Sequence, residues 1–291
     1  MQPVEHRLSV NGITVSVFEW YPNERGWGDT ILFAHATGFH ARCWDRVVAR
    51  LGQRHVLAID QRGHGRSDKP LPVHWQDFGR DLAGVLRTLN LVNVIGVGHS
   101  MGGHAMVDAA AAEHDRFRRL LLIDPVIASP AGYAKADPWG AALRGDIHPT
   151  AKRRNHWASP EEMFERFQNR RPFDTWDRDV LRDYCRFGLL PAADGAGYEL
   201  ACPPQFEAQV YMTSRGNGAV HDSIRAVKVP VLVVRAKEPP TARDLMDFRY
   251  SPTWPELAGQ FANGRELYMP EHTHFLPMED PGLAARLTLE G

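Results

Sequence analysis

Short, nearly continuous apolar runs recur along the chain: Ile31–Ala34, Val56–Ile59, Val94–Val97, Leu120–Ile123, Val229–Val234 and Glu266–Met269. Runs of this length without a polar face predict strands buried on both sides. Ahead of them, Asn11-Gly12 separates His6–Val10 from the alternating Ile13, Val15 and Val17. Asn-Gly is the preferred pair for a type I′ turn, so the chain is expected to begin with an antiparallel hairpin. Between the apolar runs lie sets at helical spacing: Trp44, Val47, Val48 and Leu51; Phe78, Leu82, Val85, Leu86 and Leu89; Met106 to Ala112; and, late in the chain, Leu283 and Leu287. Strand and helix alternate, which predicts an α/β fold, a doubly wound and mostly parallel sheet.

The alternation stops between Val126 and about Lys228. The expected organisation is therefore a core built from residues 1–125 and 229–291, with 126–228 forming a helical lid inserted before the penultimate core strand. Ser159-Pro160-Glu161-Glu162 is a capping box with proline at the first helical position, and a second helix is expected from near Asp179 to Gly188. Trp139, Trp157, Trp176, Phe164, Phe167, Phe173, Tyr184 and Phe187 give this stretch enough aromatic surface to pack on the core and to line an apolar pocket, with most of it expected simply to pack. Its arginines at 153, 154, 166, 170, 171, 178, 182 and 186 interleave with acids, so paired surface charge is expected, with one arginine binding a substrate carboxylate as the sharper alternative.

Composition narrows the partners. The 291 residues are 43% hydrophobic and 24% charged, the balance of a soluble globular chain, and Lys plus Arg number 34 against 35 Asp plus Glu. No summed charge draws the chain to nucleic acid or to an anionic membrane, and no apolar run reaches the ~18 residues of a membrane span. The opening residues carry no apolar signal-peptide core, and Cys43, Cys185 and Cys202 are odd in number and widely spaced. A cytoplasmic protein with buried, unpaired cysteines is expected.

Candidate chemistry centres on Gly98-His99-Ser100-Met101-Gly102-Gly103, which follows a predicted strand and opens a predicted helix. Small residues at 98 and 102 permit a sharp turn that lifts the Ser100 hydroxyl out of the sheet, and the helix N-terminus directs its N–H groups at developing negative charge. Three further segments resemble the α/β-hydrolase family. His35-Ala36-Thr37-Gly38-Phe39 stands where that family has a His-Gly loop, with alanine in place of the usual glycine; the resemblance implies an oxyanion hole from the backbone amides of Thr37 and Met101. Asp60-Gln61-Arg62-Gly63-His64-Gly65-Arg66-Ser67 looks like the family's D-x-R-G-x-G-x-S turn, a structural role. His272-Thr273-His274-Phe275 through Pro281 is similar to its catalytic-histidine loop and implies His274 as the base. His272 is expected to be a loop residue, and His35, His99 and His104 to line or pack the site.

The family's acid usually ends a G-x-x-D turn after the strand matching Val229–Val234, yet here that turn reads Ala236-Lys237-Glu238-Pro239. Some members, certain haloalkane dehalogenases and lactonases among them, carry the acid after the preceding strand, which here ends in Asp124. Asp124 is the favoured acid, with Glu238, Asp244 and Asp247 as alternatives. The resemblance implies a serine hydrolase using Ser100, Asp124 and His274 without metal or organic cofactor, acting on a small molecule with an acyl group, most simply a small or medium carboxylic ester. Lactone, thioester or carbon–carbon bond hydrolysis on the same triad, and a non-catalytic ligand receptor, are the competing readings.

Overall fold

The computed structural model describes residues 2–135, 148–240 and 247–291; Trp139 and Asp244 lie outside the described residues. The predicted hairpin joins β1 (Val4–Val10) to β2 (Ile13–Trp20), and its turn residues Asn11 and Gly12 have φ of 49° and 80°, as a type I′ turn requires. The chain continues through β3 (Thr30–Ala34), β4 (Val56–Ile59), β5 (Val94–His99) and β6 (Phe117–Ile123). Three short strands follow, β7 (His156–Trp157), β8 (Leu189–Pro191) and β9 (Tyr198–Leu200), before β10 (Val231–Ala236) and β11 (Gly264–Met269).

Eight strands form one sheet in the order β1-β2-β4-β3-β5-β6-β10-β11. β1 with β2 and β2 with β4 run antiparallel, whereas every pair from β4 to β11 is parallel. The continuous apolar runs have a simple cause. In β3, Leu32 and Ala34 enter one core cluster while Ile31 and Phe33 enter the other; in β6, Leu120 and Leu122 part in the same way from Leu121 and Ile123. The first cluster is covered by helices Trp75–Thr88, Met101–Ala112 and Val220–Ala226, and the second by Ala41–Val48 and Pro281–Glu290. A strand buried on both faces has no polar period to display.

The sequence reverses its direction across the sheet between β3 and β5, which opens a crevice at their carboxyl ends. Ala34 and His99, the last residues of these strands, feed the two loops of interest.

Between β6 and β10 the described residues hold helices Pro130–Ala134, Pro160–Phe167, Arg178–Phe187, Pro204–Met212 and Val220–Ala226. They also hold a sheet, β7-β9-β8, where only helices and loops are expected from the sequence. Strands of two or three residues are too short to show a period. The Ser159 hydroxyl accepts from the Glu162 amide at 3.1 Å, and the Glu162 carboxylate accepts from the Ala158 amide at 2.9 Å, one residue earlier than in the usual capping box. Among the described residues, no helix is long and apolar enough to cross a membrane.

Candidate active site

Ser100 sits between β5 and the helix Met101–Ala112 with φ 57° and ψ −118°, a left-handed conformation that is costly for a residue with a side chain. Packing leaves no alternative. A Cβ on Gly98 would stand 2.4 Å from the Gly102 carbonyl oxygen, and one on Gly102 would stand 2.2 Å from that of Ala34. The two glycines therefore let the elbow press onto the neighbouring strand, and the Ser100 amide donates to Ile123 O at 3.0 Å. The hydroxyl is held at the mouth of the crevice.

His274 reaches it from the loop after β11. Its Nε2 accepts from the Ser100 hydroxyl at 3.0 Å, and its Nδ1–H donates to Asp124 Oδ2 at 2.6 Å. The His274 loop is clasped by Glu279, whose carboxylate accepts from the Thr273 amide at 3.1 Å and from the Thr175 hydroxyl at 3.0 Å. His272 lies beside the same carboxylate at 3.5 Å and away from Ser100, as a loop residue.

Asp124 is the carboxylate that meets His274. It caps β6 with φ 45° and lies 1% exposed. Its Oδ1 accepts from the Ala236 amide at 3.1 Å, from the Thr253 hydroxyl at 3.2 Å and from the Ser251 hydroxyl. Burial pushes its pKa up, but these donors together with the His274 imidazole outweigh that and hold it below the usual carboxylate range. Glu238 instead accepts from Arg235 at the surface, and Asp247 pairs with Arg249 at 2.6 Å. Ser251 and Thr253 carry no signal in the sequence, because a hydroxyl in a polar loop looks alike whatever it faces.

The loop after β3 is built to hold one shape. His35 Nδ1–H donates to Ala36 O at 2.7 Å, and Gln61 bonds to His35 O through its side chain at 2.6 Å. The left-handed position is Gly38, φ 79°, and not Ala36, which explains why alanine is tolerated where the family has glycine. A Cβ on Gly38 would meet Glu207 Oε1 at 2.5 Å. Glu207 is itself buried and bonded to Arg153, whose guanidinium also donates to the Tyr184 hydroxyl at 3.3 Å. Thr37 and Met101, the two residues whose amides are candidates for an oxyanion hole, are both buried beside Ser100, and Thr37 lines the same cavity. Asp60 and Arg62 serve turns: Asp60 accepts from the Ala41 and Arg66 amides at 2.7 and 2.8 Å, and Arg62 pairs with Asp81 at 2.6 Å.

The cavity holding Ser100 and His274 has about 50 Å³ of free space. Its walls include Trp75, Val126, Tyr211, Phe248 and Arg215. Most of the insertion's aromatic residues pack, as expected, and none of the described ones named from the sequence lines this cavity. Trp157, Trp176 and Tyr184 join Phe39 and Phe275 in a third core cluster, with Phe164, Phe167 and Phe173 packed against it. The arginine on the wall is Arg215, outside the set singled out from the sequence, of which Arg153, Arg154, Arg171 and Arg182 are paired with acids, Arg154 with Glu162 at 2.6 Å and Arg182 with Asp179 at 3.0 Å among them.

Four histidines near the elbow are buried and neutral. Burial lowers His40 and His64 to about 4, His99 to about 3, and His35 well below its ordinary value, whereas it raises Asp60 to about 6. Each has a ring nitrogen engaged with the backbone: His99 Nε2 bonds His274 O at 2.8 Å, His40 Nε2 bonds Tyr184 O at 3.1 Å and His64 Nδ1 bonds Arg62 O at 2.9 Å, as His104 outside this set bonds Val126 O at 3.1 Å. Their effect is on stability. On unfolding between about pH 6 and pH 4 the four imidazoles take up protons, while Asp60 releases one that the native state already holds, a net uptake near three. Stability is then expected to fall as pH falls below the ordinary histidine range, because the unfolded chain binds more protons than the native one. Urea midpoints at pH 6 and pH 5 measure this; equal midpoints would mean that the imidazoles are not held neutral.

The comparisons with known proteins agree with this geometry at the level of the fold. The family described as the alpha/beta hydrolase family matches residues 31–287. A 2-(acetamidomethylene)succinate hydrolase from Mesorhizobium japonicum is 37% identical over 123 residues, 42% of this chain and 42% of its own length. The match thus spans about two fifths of that relative. Among solved structures, an E-2-(acetamidomethylene)succinate hydrolase superposes with a TM-score of 0.71 at 23% identity, covering 98% of this chain and 97% of that one. The enol-lactonase from Burkholderia xenovorans LB400 superposes with a TM-score of 0.66 at 21% identity, covering 98% of each chain.

Proposed function

The chain belongs to the alpha/beta hydrolase family, and from that membership we propose a serine hydrolase that cleaves a small or medium carboxylic ester through an acyl-serine. The observation that carries the reading is the unbroken hydrogen-bonded line from Ser100 Oγ through His274 to Asp124, at 3.0 and 2.6 Å. Ser100 attacks the acyl carbonyl as His274 Nε2 takes its proton. The oxyanion that forms is held by the amides of Thr37 and Met101, each worth about 2.7–4 kcal/mol of barrier in comparable sites. His274 then gives its proton to the departing alcohol, and in the second half activates the water that releases the acid. Asp124 stays ionised throughout, fixing the imidazole tautomer and stabilising the imidazolium. This chemistry calls for neither a metal nor an organic cofactor.

Residues 126–228 act in this reading as a lid, contributing Tyr211 and Arg215 to the cavity wall. A cytoplasmic site of action belongs to the same proposal and is supported by the three cysteines, all unpaired and buried. The names of the relatives keep a second reading in view: one is a lactonase and another acts on an acetamidomethylene succinate, so a cyclic ester or an amide-bearing acid is the competing substrate class.

A fluorophosphonate probe tests the class directly. Wild type is expected to be labelled within minutes, and Ser100→Ala not at all. Wild-type labelling no faster than that of Ser100→Ala would leave a ligand-binding protein on a hydrolase scaffold.

A further inference from the structure

Among the described residues that surround Ser100 and His274, Arg215 is the one with a permanent charge. It follows the helix Pro204–Met212, half-buried, with its guanidinium carbon 6.0 Å from the Tyr133 ring centroid and an Nη1 that fills the space over Gly132. Among the described residues no carboxylate pairs with it. Arg153, Arg154, Arg171 and Arg182 of the insertion meet Glu207, Glu162, Asp174 and Asp179 in turn, and what sets Arg215 apart from the insertion's other arginines is its place on the wall of the Ser100 cavity. A half-buried cation on that wall has lost part of its hydration without gaining an ionic partner. A ligand anion restores what is missing, and the guanidinium fork is matched to a carboxylate.

We propose that Arg215 binds a carboxylate of the substrate, so that the acyl compound cleaved at Ser100 carries a free acid group a few bonds from the scissile carbonyl. This rests on the hydrolase reading and narrows it. Ser100 and Arg215 line one small cavity, so the acyl compound expected to fit is a short one, such as a half-ester of a four- or five-carbon diacid. The Ser214 hydroxyl, on the same wall, is available as a further donor. Among the described residues, no Asp or Glu lines this cavity. The bond cleaved and the proton path are those already described; Arg215 touches only the remote acid group and acts on binding and selection.

The test compares mono-p-nitrophenyl succinate with p-nitrophenyl butyrate, esters of similar length with and without the acid. Wild type is expected to favour the succinate half-ester in kcat/KM, and Arg215→Gln to lower the ratio of the two values by 10- to 100-fold, mainly through KM for the anion. That is the range expected for losing a charged hydrogen bond worth about 1.5–3 kcal/mol. Arg215→Lys should recover part of the ratio. An unchanged ratio in Arg215→Gln, or a wild type without preference, overturns the proposal while leaving the serine hydrolase standing. A second arm is independent of turnover: calorimetry of monomethyl succinate with Ser100→Ala protein should show binding that Ser100→Ala/Arg215→Gln loses. Equal binding by both proteins overturns the proposal. Failure of fluorophosphonate labelling with Arg215-dependent binding intact would sink the hydrolase and keep the anion site.

Discussion

Ser100→Ala is expected to lower the turnover of p-nitrophenyl butyrate by on the order of 10⁶, the loss seen when a nucleophile that works as a unit with its base is removed. The size of the effect follows from the geometry. The hydroxyl is the one group placed to receive the acyl carbon while its proton leaves toward His274 at 3.0 Å, and nothing next to it is placed to substitute. His104 and His99 are turned to backbone carbonyls, and the cysteine thiols are buried elsewhere. The variant should keep its fold, since alanine meets the same φ of 57° that serine already tolerates. A residual rate within tenfold of wild type, in protein shown free of contaminating esterase, would mean that Ser100 is not the nucleophile.

The second large effect separates two carboxylates. Asp124→Asn should cost roughly 10³–10⁴ in kcat, because an amide facing Nδ1 turns the imidazole to the wrong tautomer and leaves the imidazolium unsupported. Glu238→Gln, whose carboxylate meets Arg235 at the surface, should stay within twofold of wild type. A collapse in Glu238→Gln with little change in Asp124→Asn would move the acid to the turn after β10.

The physical ground for an acid in either place lies in the sheet. β6 and β10 are neighbours in parallel register, Ile123 opposite Val234, so position 124 and the turn after Ala236 emerge side by side. The Asp124 amide bonds to Val234 O at 2.7 Å, and its carboxylate takes the Ala236 amide. A carboxylate from one strand end therefore arrives over the next one, within reach of the same imidazole.

Much of this architecture is legible in the residues. The Asn11-Gly12 turn, the buried strands and the glycines around Ser100 each follow from a local rule, and the structure meets those rules at nearly the expected positions. What is not legible depends on contacts between distant segments. The hydroxyls of Ser251 and Thr253 reach Asp124 across more than a hundred residues of chain. The aromatic residues of the insertion pack against Phe39 and Phe275, partners that no spacing along residues 157–187 foretells. Arg215 stands out only once its place on the wall beside Ser100 is visible in three dimensions, whereas along the chain it is one more arginine.

The placement of Asp124 has a consequence for how the protein is made. In the proposed triad the nucleophile and the acid both lie on one stretch, β5 to the end of β6, whereas the imidazole that joins them comes 150 residues after Asp124. On that reading the Ser100 hydroxyl of a growing chain has no base beside it until residue 274 has been made, and hydrolytic competence would arrive late, with the loop whose His274 amide bonds Phe248 O.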